Sequence, residues 1–493
     1  MTAFRALEHL WSLAGCPATA LDDIRLTGDD PGLPSVYRVG SLANATIGAA
    51  ALAAAECHRM RTGRRQRVEV EQRRALAVFR SERYLRIDDG AAPELRDPLM
   101  GFYATRDGRW IQLHTNFPHH RRGVVKLLGC ADDHAAVSAA IRERDGAALD
   151  QALADAGLCA ALIRSPNEWA ALEQARALAL LPLFEIERID GVAEGDAAPM
   201  PIGAHAGASG EFNDGRATFD VASRVRPGSL GTRPLAGVRV LDLSRIIAGP
   251  VAGRTLAQHG ADVMLVNGPH LPNIAPLVID NGRGKRSAFL DVRRADERAT
   301  LFALAQEADV FLQAYRPGAL AAHGFSPEAL ARARPGIVYV SICAYGPTGP
   351  WAQRRGFDSL VQSASGIAWT ETEAAGAASP KHLPCQALDH ATGYLAAFGA
   401  MVALMRRAAE GGSWHVRVSL AQTGRWLQSL GTIADGWRAP DPGLDDVRDL
   451  MQTMETPFGK VLAAAPAECM SATPPGFDRP PVPLGTDVAR WDA

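Results

Sequence analysis

Asp389 is the residue whose type and position most directly suggest chemistry. It opens the segment DHATGYLAAFGAMVALMRRAAEGG, whose spacing predicts a long helix that ends at Gly411 and Gly412. Aspartate is a common N-cap residue, so a capping role is the simplest interpretation. The positive end of the helix dipole would keep the carboxyl group ionised. An ionised carboxylate can also attack a thioester, forming a mixed anhydride and expelling a thiolate.

Two glycine-containing segments carry groups that suit a phosphate-bearing ligand. In SRIIAGPVAG, Ala248, Gly249 and Pro250 lead from a strand end into a helix, and the free N–H groups of a helix N-terminus attract phosphate. In DNGRGKRSAF, the cations Lys285 and Arg286 stand beside two glycines, which suits an anionic ligand. Neither spacing matches a dinucleotide-binding or P-loop motif. An ordinary turn is the competing interpretation for each segment.

Two further loops carry polar candidates after strand-like segments. Tyr315 and Arg316 follow the segment DVFLQ, where a ring and a cation could hold a nucleotide. The next two residues, Pro317 and Gly318, are also a plain turn signal. In the loop AYGPTGPWAQRRGFDS, Asp358 is an acid/base candidate or, more simply, a helix cap.

A cluster of histidines lies in the segment HTNFPHHRR. His114, His119 and His120 stand close to two arginines, but no acidic or thiolate partner is near them in sequence. Binding of an anionic substrate, or plain exposure, is therefore favoured over a metal site, and we expect no metal. The sequence also contains no GxSxG and no HExxH motif, which disfavours a hydrolase or a metalloprotease.

The elements that must position these groups alternate between strand and helix from Val238 onward. Short apolar runs predict buried strands, and helical spacing separates most of them. The strand candidates are VRVLDLS, DVMLV, SAFLDV, DVFLQAY, IVYVSICAYG and HVRVSL. Alternating strands and helices predict an α/β fold with a doubly wound, Rossmann-like parallel sheet. Such sheets bind ligands at the carboxyl ends of their strands.

Composition narrows the class of protein. Of 493 residues, 47% are hydrophobic and 22% are charged, which is ordinary for a globular enzyme, and the net charge of -2 gives no general attraction to nucleic acid. The 7 cysteines form no CxxC pair, which favours a reducing cytoplasm. We see neither a convincing signal peptide nor a run of 18 apolar residues, so we expect a cytoplasmic protein without membrane spans.

The chain contains an internal echo. At an offset of 348 residues, ANATIGAAALAAAECHRMRTGRRQRVEV can be laid on ATGYLAAFGAMVALMRRAAEGGSWHVRV. Both segments combine an Ala-rich helix, a basic end, a glycine stop and a V-x-V strand, which is the kind of self-similarity that a duplication leaves. Ser41 then takes the position of Asp389. Ala-rich helices also resemble one another by chance, so the echo alone leaves a partial duplication open.

Five segments, taken together, resemble the family III CoA-transferases (CaiB/BaiF). They are PLAGVRVLDLSRIIAGPVAGRTLAQHGADVMLV, NGRGKRSAFLDV, ADVFLQAYRPGAL, IVYVSICAYGPTGPWAQRRGFDSLVQSASG and LDHATGYLAAFGAMVALMRR. They occur in the family's order and cover residues 235–425. Residues 36–80 resemble, less sharply, the end of a family large domain. The resemblance therefore favours a partial, degenerate N-terminal copy placed before a full large domain.

This resemblance implies a domain organisation. The expected regions are a partial large-domain copy at 1–95, a small α+β domain at 96–200, a linker at 201–235, a Rossmann-like large domain at 236–430, and a C-terminal extension at 431–493 with little periodicity. Family members are usually interlocked dimers. The chain is therefore expected to form either a homodimer or a pseudo-dimer within one chain.

The resemblance also implies an activity. Asp389 would be the catalytic nucleophile that carries CoA from an acyl-CoA donor to a carboxylic acid acceptor through an aspartyl-CoA thioester. CoA would be a co-substrate, with no permanently bound cofactor. Ser41 could not serve as this nucleophile, so one catalytic centre per chain is expected.

The expected CoA contacts are Ile247, Ala248, Tyr315 and Arg316, with the cations Lys285 and Arg286 as further candidates. Two positions depart from the family pattern. The second-strand motif ends in Asn267 instead of glutamate, and the fourth ends in Gln313-Ala314 instead of Glu-Asn. These departures concern the detailed CoA contacts and leave the scaffold unaffected.

Two other functions compete with a transferase. An α-methylacyl-CoA racemase or epimerase shares the fold, but pairs the aspartate with a histidine where this chain has Phe357, and proton exchange on two faces needs two acid/base groups. A non-catalytic CoA-binding subunit would fit the unusual domain order, but the retained Asp389 argues against it.

Overall fold

The computed structural model describes residues 1–189, 199–203 and 233–492. The helices are α1 Ala3–Leu13, α2 Val39–Thr62, α3 Gln72–Val78, α4 Ser81–Tyr84, α5 Pro118–Leu128, α6 His134–Arg142, α7 Gly146–Asp155, α8 Pro166–Ala170, α9 Glu173–Ala179, α10 Ala248–Gln258, α11 Ala275–Asn281, α12 Ala295–Gln306, α13 Pro327–Ala333, α14 Asp358–Ala364, α15 Ile367–Ala375, α16 Ala387–Glu410 and α17 Leu420–Ser429. The strands are β1 Ile24–Thr27, β2 Val68–Glu71, β3 Arg86–Ile87, β4 Gly101–Ala104, β5 Trp110–Leu113, β6 Ala160–Leu162, β7 Phe184–Arg188, β8 Arg239–Leu243, β9 Asp262–Asn267, β10 Lys285–Phe289, β11 Val310–Gln313, β12 Val338–Cys343, β13 Trp414–Ser419, β14 Met451–Thr456, β15 Gly459–Ala464 and β16 Glu468–Met470.

The largest sheet has seven strands in the order β10-β9-β8-β11-β12-β13-β7. Six neighbouring strands pair in parallel, and β7 closes one edge antiparallel to β13. This confirms the prediction of a mixed α/β fold with a large, mainly parallel sheet. The chain order reverses between β8 and β11. At such a reversal the loops after neighbouring strands diverge and leave a crevice at the strands' carboxyl ends.

Both faces of this sheet are buried, which explains why its strands are almost continuously apolar. Val240, Val310 and Val338 point into one hydrophobic cluster, which also contains residues of α10 and α16. Their chain neighbours Leu241 and Phe311 point into a second cluster, which contains residues of α12 and α13. Successive side chains of a strand alternate between faces, so two separate cores form.

The internal echo is visible as a pair of matching helices. Helices α2 and α16 are each 24 residues long, and their first residues are 348 positions apart in the chain, as the echo predicts. They end at Gly63 and Gly411, which both have positive φ. The two helices pack directly against each other. Every residue of α2 from Val39 to His58 is buried, and its many alanines allow close approach.

Helix α16 is, among the described residues, the one helix whose length and hydropathy would suffice to cross a membrane. Its apolar window is 94% buried inside the protein. Its composition is accounted for by its place between α2, α10 and the sheet.

Three smaller sheets surround this core. Strands β4, β5 and β6 form an antiparallel sheet whose apolar cluster includes residues of α5, α6 and α7. The segment predicted as one strand around residues 101–115 is therefore a hairpin. The tail, for which we predicted little regular structure, contains β14, β15 and β16, because it pairs with the N-terminal strands β3 and β2. Most of the predicted linker at 201–235 lies outside the described residues.

Candidate active site

Asp389 is the third residue of α16, and its carboxylate does not cap that helix. The N-cap position belongs to Gln386, which makes no side-chain cap hydrogen bond. The backbone N–H of Asp389 instead donates to Oδ2 of Asp358 at 2.8 Å. Asp358 is the first residue of α14, and its position in sequence suggested a cap on that helix. Its carboxylate instead accepts a backbone N–H from the first turn of α16. The capping interpretation of Asp389 is therefore wrong, and its carboxylate is available to a ligand.

Burial and two acidic neighbours raise the pKa of Asp389 well above its usual value. Loss of hydration has the largest effect, and the charges of Asp358 and Glu82 add to it. Burial also raises the pKa of Asp358 to about 6, although it accepts hydrogen bonds. The expectation that the helix dipole keeps Asp389 ionised is thus reversed in the free protein. This carboxyl group ionises only as the pH rises past that raised pKa.

Asp389 lies between two cavities. The first has a volume of about 390 Å³ and is bounded by residues that follow β8, β11 and β12 at their carboxyl ends. The second has a volume of about 270 Å³ and is bounded by residues 82–83, 92–96, 114 and 116, among others. Asp389, Ile246, Ile247 and Phe357 line both cavities. One carboxylate can therefore meet ligands that enter from two sides.

Four residues predicted to contact CoA line the first cavity together with Asp389. They are Ile247, Ala248, Tyr315 and Arg316. The turn that carries the first two is tight, because a Cβ on Gly249 would lie 2.3 Å from the Cβ of Ser244. The preceding Ile246 has φ of 75°, a left-handed conformation that is strained for a β-branched residue. Such strain often accompanies functional turns, and here it shapes the wall between the two cavities.

Lys285 and Arg286 do not line either cavity. The sequence suggested a flexible basic turn, but both residues belong to β10 and are buried. The Lys285 ammonium group donates to Asp242 Oδ2 and to the Pro250 carbonyl oxygen, both at 2.8 Å. Arg286 pairs with Asp262 at 2.6 Å. Pro250 lies in the first turn of α10, so the hydrogen bond from Lys285 to its carbonyl oxygen helps to hold the adjacent Ile247–Ala248 turn in place.

Two arginines that sequence reasoning did not single out also line the first cavity. Arg245 and Arg355 have no carboxylate partner within the described part of the chain, whereas the neighbouring Arg354 pairs with Asp150. Burial lowers the pKa of Arg245, and its guanidinium lies 5.1 Å from the centre of the Phe117 ring. Arg245 donates to the Pro272 carbonyl oxygen, but cations without carboxylate partners are suited to phosphate groups. The sequence signal that could have identified Arg245 was its position, two residues after the end of β8.

The histidine cluster divides between the two cavities. His119 and His120 line the first cavity, and His114 lines the second. The ring of His114 stacks on Phe357 with a centroid distance of 3.9 Å. Burial lowers the pKa of His114 to about 4 and that of His120 to about 3, so both rings are neutral near pH 7. Across the described residues, no group of three or more His, Cys, Asp or Glu side chains could hold a metal ion.

The chain matches the sequence model of a known protein family. The model of CoA-transferase family III matches residues 23–199 and again 235–462. These two regions cover most of the chain, and a match over two regions agrees with the predicted repeated copy. The chain belongs to CoA-transferase family III.

Individual relatives agree with this assignment over part of their length. An acyl-CoA transferase of Gibberella moniliformis is 32% identical over 64% of this chain and 54% of its own length. The succinate–glutarate CoA-transferase of Agrobacterium fabrum is 31% identical over 38% of this chain and 51% of its own length. The chain thus spans about half the length of these curated relatives. A CaiB/BaiF family protein from Brucella suis, solved by crystallography, is 28% identical over 45% of this chain and 64% of its own, with a TM-score of 0.35.

Proposed function

We propose that the protein is a CoA-transferase that moves CoA from an acyl-CoA donor to a carboxylic acid acceptor, with Asp389 as the nucleophile. The observation that carries the proposal is the position of this carboxylate between two cavities. A transferase must present one group in turn to a thioester and to a free acid, and this arrangement allows both. The names of the relatives, which include acyl-CoA and succinate–glutarate transferases, support the same reaction class.

In the proposed reaction the Asp389 carboxylate attacks the thioester carbonyl of the donor. This forms an aspartyl mixed anhydride and releases CoA thiolate. The thiolate then attacks the aspartyl carbonyl, which gives the aspartyl-CoA thioester and frees the donor acid. The acceptor carboxylate attacks that thioester and releases the thiolate again. Attack of the thiolate on the acceptor carbonyl of the new anhydride gives the product and restores Asp389.

In this proposal CoA occupies the first cavity. The Ile247–Ala248 turn and Tyr315 would bound the pantetheine and nucleotide, and Arg316 with Arg245 would meet the phosphates. Arginine geometry suits phosphate oxygens, and neither guanidinium has a carboxylate partner among the described residues. Lys285 and Arg286 are left out of this role because internal carboxylates already pair with them.

The proposal also covers the type of sheet, the division into domains and the relation between the two copies. The strand order and the two apolar clusters support a doubly wound, Rossmann-like sheet, and the cluster around β4–β6 supports a separate small domain. The contact between α2 and α16 supports a pseudo-dimer within one chain. The domain boundaries, the cytoplasmic location and the absence of a permanent cofactor stay predictions.

A transfer assay tests the proposed activity. The protein is incubated with one acyl-CoA and a panel of carboxylic acids, and new acyl-CoA thioesters are identified by mass spectrometry. Transfer with the unmodified chain and none with Asp389→Asn is expected. Equal transfer by both proteins would refute the role of Asp389, and no transfer or aspartyl adduct with any donor would favour a non-catalytic CoA-binding subunit.

A racemase or epimerase is the second candidate, and one observation favours it. His114 comes from a distant part of the chain and lines the same cavity as Asp389, so a second acid/base group is present in that cavity although Phe357 replaces the expected histidine. Incubation of a chiral 2-methylacyl-CoA in deuterated water decides between the two functions. Deuterium at the α-carbon without any acceptor acid would favour the epimerase. Its absence, together with transfer, is the result expected here.

A further inference from the structure

Four residues line both cavities and therefore border the space between them, which we call the passage. They are Asp389, Ile246, Ile247 and Phe357. Asp389 brings the carboxyl group, and the other three bring bulky apolar side chains. In the proposed reaction CoA occupies the first cavity and the thioester carbonyl meets Asp389, so the acyl chain continues towards the second cavity. The carbon next to the carbonyl, the α-carbon, then lies in the passage itself.

The ring of Phe357 is held firmly on one side of the passage. It stacks on His114 with a centroid distance of 3.9 Å and only 9° between the two planes. The backbone before it has no room to move, because a Cβ on Gly356 would lie 2.6 Å from a neighbouring side-chain carbon. The backbone after it is anchored, because the Asp358 carboxylate accepts the backbone N–H of Asp389. The ring therefore cannot move aside without losing these contacts.

The two isoleucines on the other side are fixed by their backbone. The Ile246 carbonyl oxygen accepts from Asn281 at 3.4 Å, and the Ile247 carbonyl oxygen accepts the Val251 backbone N–H at 2.7 Å. Both side chains are β-branched, so they have few alternative rotamers. An extra methyl group placed between rigid, bulky side chains has to displace them, which is unfavourable.

The second cavity beyond the passage is less restrictive. Its volume is about 270 Å³, and its lining includes Met100 and Leu95. Methionine is unbranched and adapts its shape readily to its neighbours. A branch further along the acyl chain can be accommodated there. The steric restriction is therefore concentrated at the α-carbon.

We propose that Phe357, together with Ile246 and Ile247, is a specificity-determining wall that admits acyl groups with an unbranched α-carbon and excludes 2-methyl-branched ones. The inference deepens the proposed transferase function and rests on it for the position of the thioester. His114 acts through Phe357 and is a positioning residue. One methylene group more or less in a hydrophobic pocket changes discrimination by roughly 10- to 200-fold, and a wall at the α-carbon acts in the same way.

Binding of two isomeric thioesters tests the wall without turnover. Butanoyl-CoA and 2-methylpropanoyl-CoA have the same atoms and differ only in the branch at the α-carbon. Calorimetry in a background that carries Asp389→Asn measures both affinities in the absence of acylation. We expect butanoyl-CoA to bind about tenfold more tightly. A branch one carbon further on should matter little, so pentanoyl-CoA and 3-methylbutanoyl-CoA should bind about equally.

Variants of Phe357 identify the residue responsible. Phe357→Ala should bring the ratio of the two affinities near one, because 2-methylpropanoyl-CoA binds more tightly while butanoyl-CoA changes little. Phe357→Leu retains more of the apolar contact and should lower the ratio in part, so it serves if the alanine variant does not fold. Phe102→Ala is the matched control. The Phe102 ring also contacts a histidine, His382, at 4.7 Å, but it lines neither cavity, and the ratio should stay as it was.

Equal affinity for the two isomers in the background protein would overturn the inference. A Phe357→Ala variant that keeps the preference, or a Phe102→Ala variant that loses it, would overturn it as well when melting temperatures match. The transferase proposal is judged separately, by adduct formation at Asp389 in the unmodified chain. A preference in binding without any adduct would refute the transferase and keep the wall. Adducts from both isomers with equal affinities would keep the transferase and refute the wall.

Discussion

At the scale of single residues, the central feature is a carboxyl group placed where its ionised form is disfavoured. Asp389 is buried beside Asp358 and Glu82, and all three effects raise its pKa. An anion with little hydration is a stronger nucleophile once formed, because less solvent has to be removed before it attacks. In the proposed reaction, this environment lowers the ionised fraction of Asp389 in the free protein and raises the reactivity of the anion once it forms.

The rate of Asp389 acylation should therefore depend on pH. We expect an acid limb that lies above the usual range of an aspartate, since the group must lose its proton before it attacks. Asp358→Asn removes the neighbouring negative charge, lowers the pKa of Asp389 and should move the limb to lower pH. Quenched-flow measurement of acyl-enzyme formation at a series of pH values gives the midpoint of the acid limb for the unmodified protein and for Asp358→Asn. Identical midpoints in the two proteins would contradict the assigned electrostatics.

The same shift has a consequence for stability. Because the folded pKa of Asp389 exceeds its unfolded value of about 3.9, the folded state binds more protons between these two values, and stability falls as pH rises through that window. Asp389→Asn has no such proton to lose. Its melting temperature should exceed that of the unmodified protein at pH 7, and the difference should shrink below the ordinary aspartate pKa. A lower melting temperature at pH 7 would show that the carboxylate stabilises the fold.

The scale of helices and strands shows where sequence reasoning succeeded. Six of the seven strands of the large sheet and the C-terminal end of α16 follow from apolar runs and glycine stops, which are local signals. Lys285 and Arg286 were misplaced because β10 begins two residues before its apolar run. Strands β15 and β16 were missed because they pair with β3 and β2, hundreds of residues away, and β14 pairs in turn with β15.

Close contact between α10 and α16 positions the Ile247–Ala248 turn. A Cβ on Gly393 would lie 2.6 Å from the Ala248 carbonyl oxygen and 2.8 Å from the Val251 Cβ. Gly393→Ala should therefore destabilise the protein by about 1–3 kcal/mol and raise the KM for acyl-CoA. Denaturant unfolding and steady-state kinetics measure the two effects.

Gly424→Ala in α17 is the control for this substitution. There the new Cβ would approach only the side-chain ends of Ile367 and Leu388, at 3.3 and 3.4 Å. Higher helix propensity, worth up to about 1 kcal/mol, offsets that contact. Similar loss of stability and affinity in both variants would show that the α10–α16 contact has no special role.

At the scale of the whole molecule, residues from both predicted copies line the second cavity, but the two copies contribute different kinds of side chain. Asp389 lines both cavities, whereas Ser41 at the matching place in α2 donates its hydroxyl to Asp30 at 2.5 Å. Glu82 and Arg83, which belong to the predicted first copy at 1–95, line the second cavity together with Asp389. The sequence indicated the duplication but not this cavity, because no local pattern shows which distant loops meet.

This asymmetry predicts one reactive centre per chain. Quantitative trapping with hydroxylamine during turnover should approach one hydroxamate per polypeptide and no more. The measurement is the molar ratio of modified to total chain by intact-mass spectrometry. A second equivalent on the N-terminal copy would show that the degenerate half is also catalytic.

The identity of the trapped residue decides whether Asp389 is the nucleophile. The protein is mixed with an acyl-CoA donor, quenched with hydroxylamine, digested and analysed by peptide mass spectrometry, with Asp389→Asn treated in parallel. We predict a hydroxamate at Asp389 in the unmodified chain and none in the variant. A hydroxamate on another carboxylate, or turnover that continues in the variant, would contradict the assignment of Asp389.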